Sequence, residues 1–299
     1  MIAGPTASGK SALAMQLADA VGGVVINADS MQVYRDLNVL SARPSHEDMM
    51  RVPHQLYGFV GAGDGYSVGR YVADAAVHYK AAQDAGVVAI FVGGTGLYFK
   101  ALLEGLSPVP AIDPAIRQRW RAIGERDGGA VLHEALKVRD GEMARRLAPT
   151  DVQRLVRALE VIESTGRSLD VWQRQPGTPV VREADAIRLV ADVDREALYK
   201  RSDARFARMV DEGALFEVAR LEAMQLDPSL PIMRALGVRP LIDYIHGQAS
   251  LAAAVERAQT DTRHYIKRQL TWLRRNMIAW NGVDLFDVER NGLPKDIFN

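Results

Sequence analysis

The sequence predicts an α/β fold: a parallel sheet core flanked by helices, interrupted by an all-helical insertion domain. Three observations carry this. Apolar runs at Val24-Val25-Ile26 and Val87-Val88-Ala89-Ile90-Phe91-Val92 are continuous, as in strands buried on both faces. Gly4-Pro5-Thr6-Ala7-Ser8-Gly9-Lys10-Ser11 fits G-x-x-x-x-G-K-[ST], a phosphate-binding loop that joins a strand to a helix. With 25 Gly among 299 residues, a shuffled chain would match that pattern about 0.3% of the time, so chance is a poor explanation. Finally, every segment from Pro114 to about Gly177 reads helical, and strand character returns only at Ile187-Arg188-Leu189-Val190-Ala191-Asp192.

Taken in order, Met1-Ile2-Ala3 can end a first strand, very short for a central one. Residues 11–21 read as a helix that Gly22-Gly23 terminates. The strand Val24-Val25-Ile26-Asn27 leads into Ala28-Asp29-Ser30-Met31-Gln32-Val33-Tyr34 at its carboxyl end, the edge where open α/β sheets bind ligands. Asp29 and the phosphate loop are therefore expected to face one crevice. Residues 35–64 are loop-rich, with Pro44, Pro53 and His54, and 68–85 read as a helix. The run 87–92 ends in Gly93-Gly94-Thr95-Gly96-Leu97-Tyr98, a strand-to-helix turn into residues 99–103. Ser107-Pro108-Val109-Pro110 and Asp113-Pro114 break the pattern. Helices are then expected at 115–127, 130–139, 142–147, 152–164 and 168–174. After the returning strand come helices 195–212, 214–224, 238–246 and one from 250 to about 279, with a last strand at 285–288. The parts are thus 1–111 as the first part of the core, 112–177 as the insertion, and 178–299 as the second part, with a basic C-terminal helix.

Composition narrows the function. The chain is 48% hydrophobic and 25% charged, ordinary for a globular protein. Formal net charge is zero, split as −2 over residues 1–107, +2 over 108–190 and zero over the rest, so nucleic acid could bind only through local patches. Without cysteine there are neither disulfides nor thiolate metal sites. No 18-residue apolar run and no signal peptide are present, which makes no membrane partner and a cytoplasmic enzyme the default expectation. Nothing in the sequence demands more than a monomer.

The loop amides and the following helix N-terminus would cradle a phosphate, Lys10 adds a full charge, and the Ser11 hydroxyl can ligate Mg²⁺. Asp29 reads either as a turn cap or magnesium-shell carboxylate, or as a general base beside the phosphates. Thr95 reads as a helix N-cap, as a phosphate ligand, or as both. In the insertion, Arg117, Arg119 and Arg121, and Gln153-Arg154-Leu155-Val156-Arg157, form either a solvated helix face or an RNA contact. Arg234 and Arg239 flank Ala235-Leu236-Gly237-Val238, and residues 263–275 hold five formal cations, His264 and no acid. At 100° per residue from Arg263, Lys267 and Arg274 fall at about 40° and 20°, and Ile266, Leu270, Leu273 and Met277 at about 280° to 340°, one cationic sector and one apolar stripe. His54, His78, His133 and His246 lack metal-ligand spacing, and no Ser-His-Asp set or hydride-transfer fingerprint is evident.

Together the phosphate loop, Asp29-Ser30-Met31-Gln32-Val33-Tyr34, Gly93-Gly94-Thr95-Gly96-Leu97-Tyr98, Gln153 to Glu160 and Lys267-Arg268-Gln269-Leu270-Thr271-Trp272-Leu273-Arg274 resemble the tRNA dimethylallyltransferase (tRNA isopentenyltransferase) family, in order as far as about residue 275. The resemblance implies a P-loop-kinase-like core whose helical insertion closes on a tRNA anticodon stem-loop. It implies transfer of a dimethylallyl group from dimethylallyl diphosphate to N6 of the adenosine 3′ to the anticodon, in tRNAs reading codons that start with U. Mg²⁺ is the implied cofactor, and residues 4–11 would hold the donor's diphosphate without consuming ATP. Lys10, Asp29, Thr95 and Arg117 are the implied catalytic residues. The implied tRNA contacts are Asp29, Ser30, Met31, Gln32, Gln153, Arg154, Leu155, Val156, Arg157, Arg234, Arg239, Lys267, Arg268 and Arg274. Where the family usually has Gly-Tyr-Arg this chain has Gly237-Val238-Arg239, so no tyrosine role carries over. A P-loop small-molecule kinase, a non-catalytic RNA-binding module and an isopentenyltransferase on free adenine nucleotides remain alternative readings.

Overall fold

The computed structural model describes residues 1–292. They divide into two compact units: one built from residues 1–103 and the chain from 180 onward, the other from residues 104–179. The sequence pattern places the insertion at 112–177, a few residues inside these bounds.

The first unit holds a six-stranded, all-parallel sheet, ordered β3-β2-β4-β1-β5-β6. The strands are β1 (Ile2–Ala3), β2 (Val24–Asn27), β3 (His54–Gln55), β4 (Ala89–Gly93), β5 (Leu189–Asp192) and β6 (Asn281–Asp284). β1 has two residues yet lies centrally, with Ile2 opposite both Val92 and Leu189. Alternation along the strands splits the core between the two faces. Ala3, Ile26 and Phe91 face a cluster with Tyr71, Phe99, Val218, Leu241 and Leu273. Ile2, Val25, Ile90, Val92 and Leu189 face Leu13, Ala14, Leu17, Leu285 and Val288. Both faces being apolar explains the uninterrupted hydrophobic runs.

One expectation needs correction and two gain detail. Residues 35–64 are loop-rich, as expected, but hold two short elements: a capping box between Ser45 and Asp48 opens a helix His46–Arg51, and His54–Gln55 adds the edge strand beside Val25 and Ile26. The last strand is not 285–288. Those residues lie in a helix Leu285–Asn291, because the Asp284 carboxylate accepts from the amides of Phe286 and Asp287 and starts a helix there. Leu285 and Val288, three residues apart, then bury together, and the strand is the preceding Asn281–Asp284. The two helices expected at 115–127 and 130–139 are present within the span Pro114–Arg139 and part at Gly128, whose φ of 77° favours glycine.

The second unit is all-helical: Pro114–Arg139, Gly141–Arg146, Val152–Thr165 and Leu169–Gln173. Asp113, Asp140, Asp151 and Ser168 cap these four helices with side-chain acceptors. Trp120, Leu132, Leu136, Met143, Leu155 and Leu159 fill its core. Its two ends meet backbone to backbone. A Cβ on Gly105 would stand 2.4 Å from the Thr178 amide nitrogen, and one on Gly177 2.5 Å from the Gly105 carbonyl carbon. Glycine at both positions is what lets the two connecting segments touch.

Candidate active site

The carboxyl ends of β1, β2 and β4 open into one crevice. Gly93 closes the backbones together: a Cβ there would lie 2.0 Å from the Ala28 oxygen. Gly4 N donates to Gly93 O at 3.2 Å, and Thr95 N to Ala28 O at 3.2 Å. The loop after β1 turns through Ala7 (φ 62°) and Gly9 (φ 93°) into helix Lys10–Val21. Among the described residues no protein acceptor takes the amides of Gly9, Lys10 and Ser11, so these donors converge on an open concavity suited to an anion. Ser8 Oγ, fully buried, also has no partner among the described residues. Lys10 Nζ donates to Pro5 O at 3.2 Å. Burial lowers the Lys10 ammonium to about 8; the Asp29 charge opposes that shift and Arg205 deepens it.

Asn27, fully buried, fixes Asp29. Its Oδ1 accepts from Asp29 N at 2.8 Å, and its Nδ2 donates to the carbonyls of Asp29 (2.9 Å) and Leu56 (3.0 Å). Asp29 Oδ1 takes the Met31 amide at 2.9 Å, so the carboxylate does cap a turn. Its Oδ2 receives no hydrogen bond from the described residues. Thr95 does not turn back onto its own helix. Its hydroxyl accepts from Ser30 N at 3.0 Å and donates to Ser30 Oγ at 3.3 Å, binding the turns after β4 and β2 together.

Gln269 completes the site, and sequence reasoning assigned it no role. Its Oε1 accepts from Thr6 N at 3.0 Å and its Nε2 donates to Gly94 O at 3.0 Å, joining the phosphate loop to the β4 turn. A Cβ on Gly94 would stand 2.5 Å from Gln269 Nε2, 3.2 Å from Gly4 O and 3.5 Å from Asp29 Oδ2. Loop, amide and free carboxylate oxygen thus surround a single point. The signal for Gln269 was available: on the helical wheel it falls at about 240°, a polar residue beside the apolar stripe.

Helix Arg195–Asp211 supplies a second set that was missed. Arg201, Arg205 and Arg208 share one helix face and line a cleft of about 380 Å³ with residues 7–12, Arg43, Tyr57 and Glu289. The i, i+4, i+7 spacing was legible as a face, but the residues read only as helix. Burial lowers the Arg205 guanidinium from its usual value, and Asp29 partly offsets this. Burial raises the phenols of Tyr57, Tyr98 and Tyr265, with Asp29 adding to each, so all three remain protonated donors at neutral pH.

The remaining candidates fall into four groups. Arg234, Arg239 and Arg268 come together around a cleft of about 210 Å³ that also includes His264 and Asp261. Val238, where the family usually has tyrosine, is fully buried. Lys267 and Arg274 lie exposed on helix Leu251–Asn276, flanking the stripe of buried Ile266, Leu270 and Leu273. The expectation that no acid neutralises this basic run fails at its first member, because Asp203 of another helix pairs with Arg263 at 2.6 Å. Met31 is half-buried against the core, Ser30 is held by Thr95, and the Gln32 amide nitrogen is occupied by the carbonyls of Ser41 and Ala42.

In the helical unit, Gln153 and Arg154 are exposed, but Leu155 and Val156 are core residues. Their assignment as RNA contacts is corrected: helix Val152–Thr165 turns those side chains inward, and only its outer face offers contacts. Arg117, Arg121 and Arg157 gather around the buried carboxylate of Glu160 at 3.6–3.8 Å.

The IPP transferase family model matches residues 32–276, and the isopentenyl transferase model matches residues 1–57. A tRNA dimethylallyltransferase of Azorhizobium caulinodans is 52% identical over 94% of this chain and 90% of its own length. One from Rhodopseudomonas palustris is 50% identical over 95% and 94%. Among solved structures, a eukaryotic dimethylallyltransferase acting on tRNA superposes with a TM-score of 0.82 at 26% identity, over 97% of this chain and 74% of that one. The full-length tRNA isopentenylpyrophosphate transferase of Bacillus halodurans gives 0.67 at 30% identity, over 95% and 88%. With a family model spanning most of the sequence and relatives half identical along nearly all of it, the chain belongs to the tRNA dimethylallyltransferase family of prenyltransferases.

Proposed function

We propose that the enzyme transfers the dimethylallyl group of dimethylallyl diphosphate to N6 of the tRNA adenosine immediately 3′ of the anticodon, in tRNAs reading codons that start with U. The observations that support this reading are the amides of residues 9–11 and Lys10, left open to an anion among the described residues, with Asp29 near enough for its charge to act on Lys10 and its Oδ2 taking no hydrogen bond from the described residues. An anion cradle beside a carboxylate oxygen with no protein partner is what an allylic diphosphate and an amine nucleophile together require.

The chemistry follows from the residues. The allylic C–O bond breaks and its electron pair leaves on the diphosphate. The free amides of residues 9–11, Lys10 and the guanidinium groups of Arg201, Arg205 and Arg208 offset the charge that develops. The N6 lone pair, delocalised into the purine, forms the new C–N bond, and the N6 proton passes to Asp29 Oδ2 as it forms. Thr95 holds Ser30, and through it the Asp29 turn, against the β4 turn. The target base must leave its stack to reach this crevice, which costs less in an anticodon loop than in a duplex.

Mg²⁺ fits this donor set as a diphosphate-borne ion. Ser11 contributes an exposed hydroxyl, and no cluster of three carboxylate or imidazole ligands exists among the described residues to hold the metal unaided. Bound there with the diphosphate oxygens, it would supply further charge neutralisation. Arg117 is proposed as a further contact near the reacting groups, and the outer faces of helix Val152–Thr165 and helix Leu251–Asn276 are proposed to grip the RNA backbone, with the protein acting as a monomer in the cytoplasm. No helix among the described residues is long and apolar enough to cross a membrane.

Incubation with labelled dimethylallyl diphosphate and tRNA, AMP or no acceptor tests the proposal. Label should enter tRNA alone. Label in AMP would move the substrate to free nucleotides, and ADP formed from ATP would make the protein a kinase.

A further inference from the structure

Glu289 has no part in the chemistry above, yet it stands in the phosphate cleft. It lies on helix Leu285–Asn291, which is anchored by Leu285 and Val288 against Leu13, Ala14 and Leu17 of the helix that the phosphate loop opens. The Glu289 carboxylate meets the Arg201 guanidinium in a two-bond fork: Nη1 donates to Oε2 and Nη2 to Oε1, each at 2.7 Å. Oε1 also lies directly over the loop, 2.4 Å from where a Cβ on Gly9 would be. That position is permitted only because Gly9, with φ 93°, has no side chain.

A carboxylate in an anion site acts in one of two ways. It can brace a cation for the ligand, or it can occupy that cation in the ligand's place. Bracing leaves the arginine's donors pointing at the ligand. Here the planar fork of Arg201 is engaged along its edge by both carboxylate oxygens, the same geometry that a phosphate would use. The carboxylate also adds a negative charge beside amides that would receive an anion. Both features favour replacement over bracing.

We propose that Glu289 is a resident counter-anion of the diphosphate site. It holds Arg201 when the site is empty, yields it to the entering diphosphate, and takes it back as the product diphosphate leaves. No bond is made or broken; one hydrogen-bonded anion replaces another on a single guanidinium. The function served is release: a site that stabilises a leaving diphosphate strongly must still discharge it, and an internal competitor present at high effective concentration lowers the barrier to exchange. The inference rests on the cleft being a diphosphate site.

The test is calorimetric titration of the folded protein with inorganic pyrophosphate in the presence of Mg²⁺. Wild type should bind, and Glu289→Gln, which keeps the shape and loses the charge, should bind about three- to tenfold more tightly. Product inhibition by pyrophosphate in the transfer assay should deepen by the same factor. Glu289→Ala should follow the same direction, which guards against a folding defect peculiar to one variant. In an Arg201→Gln background, Glu289→Gln should give a clearly smaller gain. Weaker or unchanged binding in both Glu289 variants overturns the proposal and makes Glu289 a brace. A gain that persists undiminished without Arg201 also overturns it, since simple repulsion would then suffice. Wild type that fails to bind pyrophosphate would remove the diphosphate reading itself, and this inference with it.

Discussion

The loop of residues 4–11 and the basic run of residues 263–275 both present positive charge, but they are built in opposite ways. The loop's donors are backbone amides, fixed by Ala7 and Gly9 at positive φ and tied through Thr6 to the buried amide of Gln269. The run's donors are long side chains. Lys267, Arg268, Arg274 and Arg275 extend into solvent, while the apolar stripe behind them holds the helix to the core. Fixed donors lose nothing to reorganisation as charge develops, so they act on the transition state. Flexible exposed cations act mainly on capture, through counterion release, and contribute little once substrate is bound. Mutations in the two regions should therefore separate: turnover should respond to the crevice, and salt-dependent affinity to the run.

The largest effect is expected at Asp29. Asp29→Asn keeps an acceptor for the Met31 amide and removes the proton acceptor, so single-turnover prenyl transfer should fall by about 10²–10⁴ while tRNA affinity stays within a few-fold. Unchanged chemistry with weakened tRNA binding would move Asp29 from the crevice's group of residues to the binding group.

A pH profile sharpens the same distinction. The Lys10 ammonium is held down at about 8, mainly by burial. Since it is the charged form that serves the diphosphate, kcat/KM for the donor should fall as pH rises through about 8, by up to about tenfold per unit. The sign for stability is opposite. A lysine whose folded value lies below its unfolded value makes the protonated fold less stable, and that penalty lifts as pH rises from about 8 towards 10.5. Lys10→Arg cannot deprotonate in this range and should lose the falling limb, whatever its plateau. Salt slopes of tRNA binding should show no corresponding break, because the exposed run lies outside the crevice that holds Lys10.

How far these regions were legible depends on what kind of signal each leaves. The buried strands at residues 24–27 and 89–93 are continuous apolar runs because both faces of the sheet are covered, and the phosphate loop is a spacing that few other structures require. Asp29 and Thr95 followed from their places at strand ends. Residues 281–291 were misplaced because the strand there, Asn-Gly-Val-Asp, has no apolar alternation, and the helix start depends on one capping carboxylate at Asp284. The edge strand His54–Gln55 has only two residues and no pattern to read. Gln269 and the arginines of helix Arg195–Asp211 were hidden differently. Their helices were evident, but which side of a helix meets a site is set by tertiary packing. The same limit explains Asp203, which neutralises Arg263 from 60 residues away in sequence, and Leu155 and Val156, whose motif membership said nothing about which way they face.

The smallest effect is expected from the basic run, and it is the sharpest test of the comparison. Lys267 and Arg274 are exposed, and no carboxylate among the described residues pairs with either, unlike Arg263. Changing both to Gln preserves the buried stripe of Ile266, Leu270 and Leu273, so the helix should remain in place. If the two cations follow RNA phosphates, tRNA affinity should weaken to a similar extent across tRNA sequences, because phosphate contacts carry no base information. The slope of log K against log salt should become shallower by about 0.7 for each single-strand phosphate left without its cation, and slightly more on paired stem. Turnover at saturating tRNA should stay close to wild type, since neither residue lines the crevice. An unchanged slope would show that these cations never meet the backbone. A large fall in saturated turnover with an unchanged slope would mean that the run reaches the crevice through its helix, by shifting Gln269 two residues beyond Lys267, and the division between fixed and flexible donors would have to be redrawn.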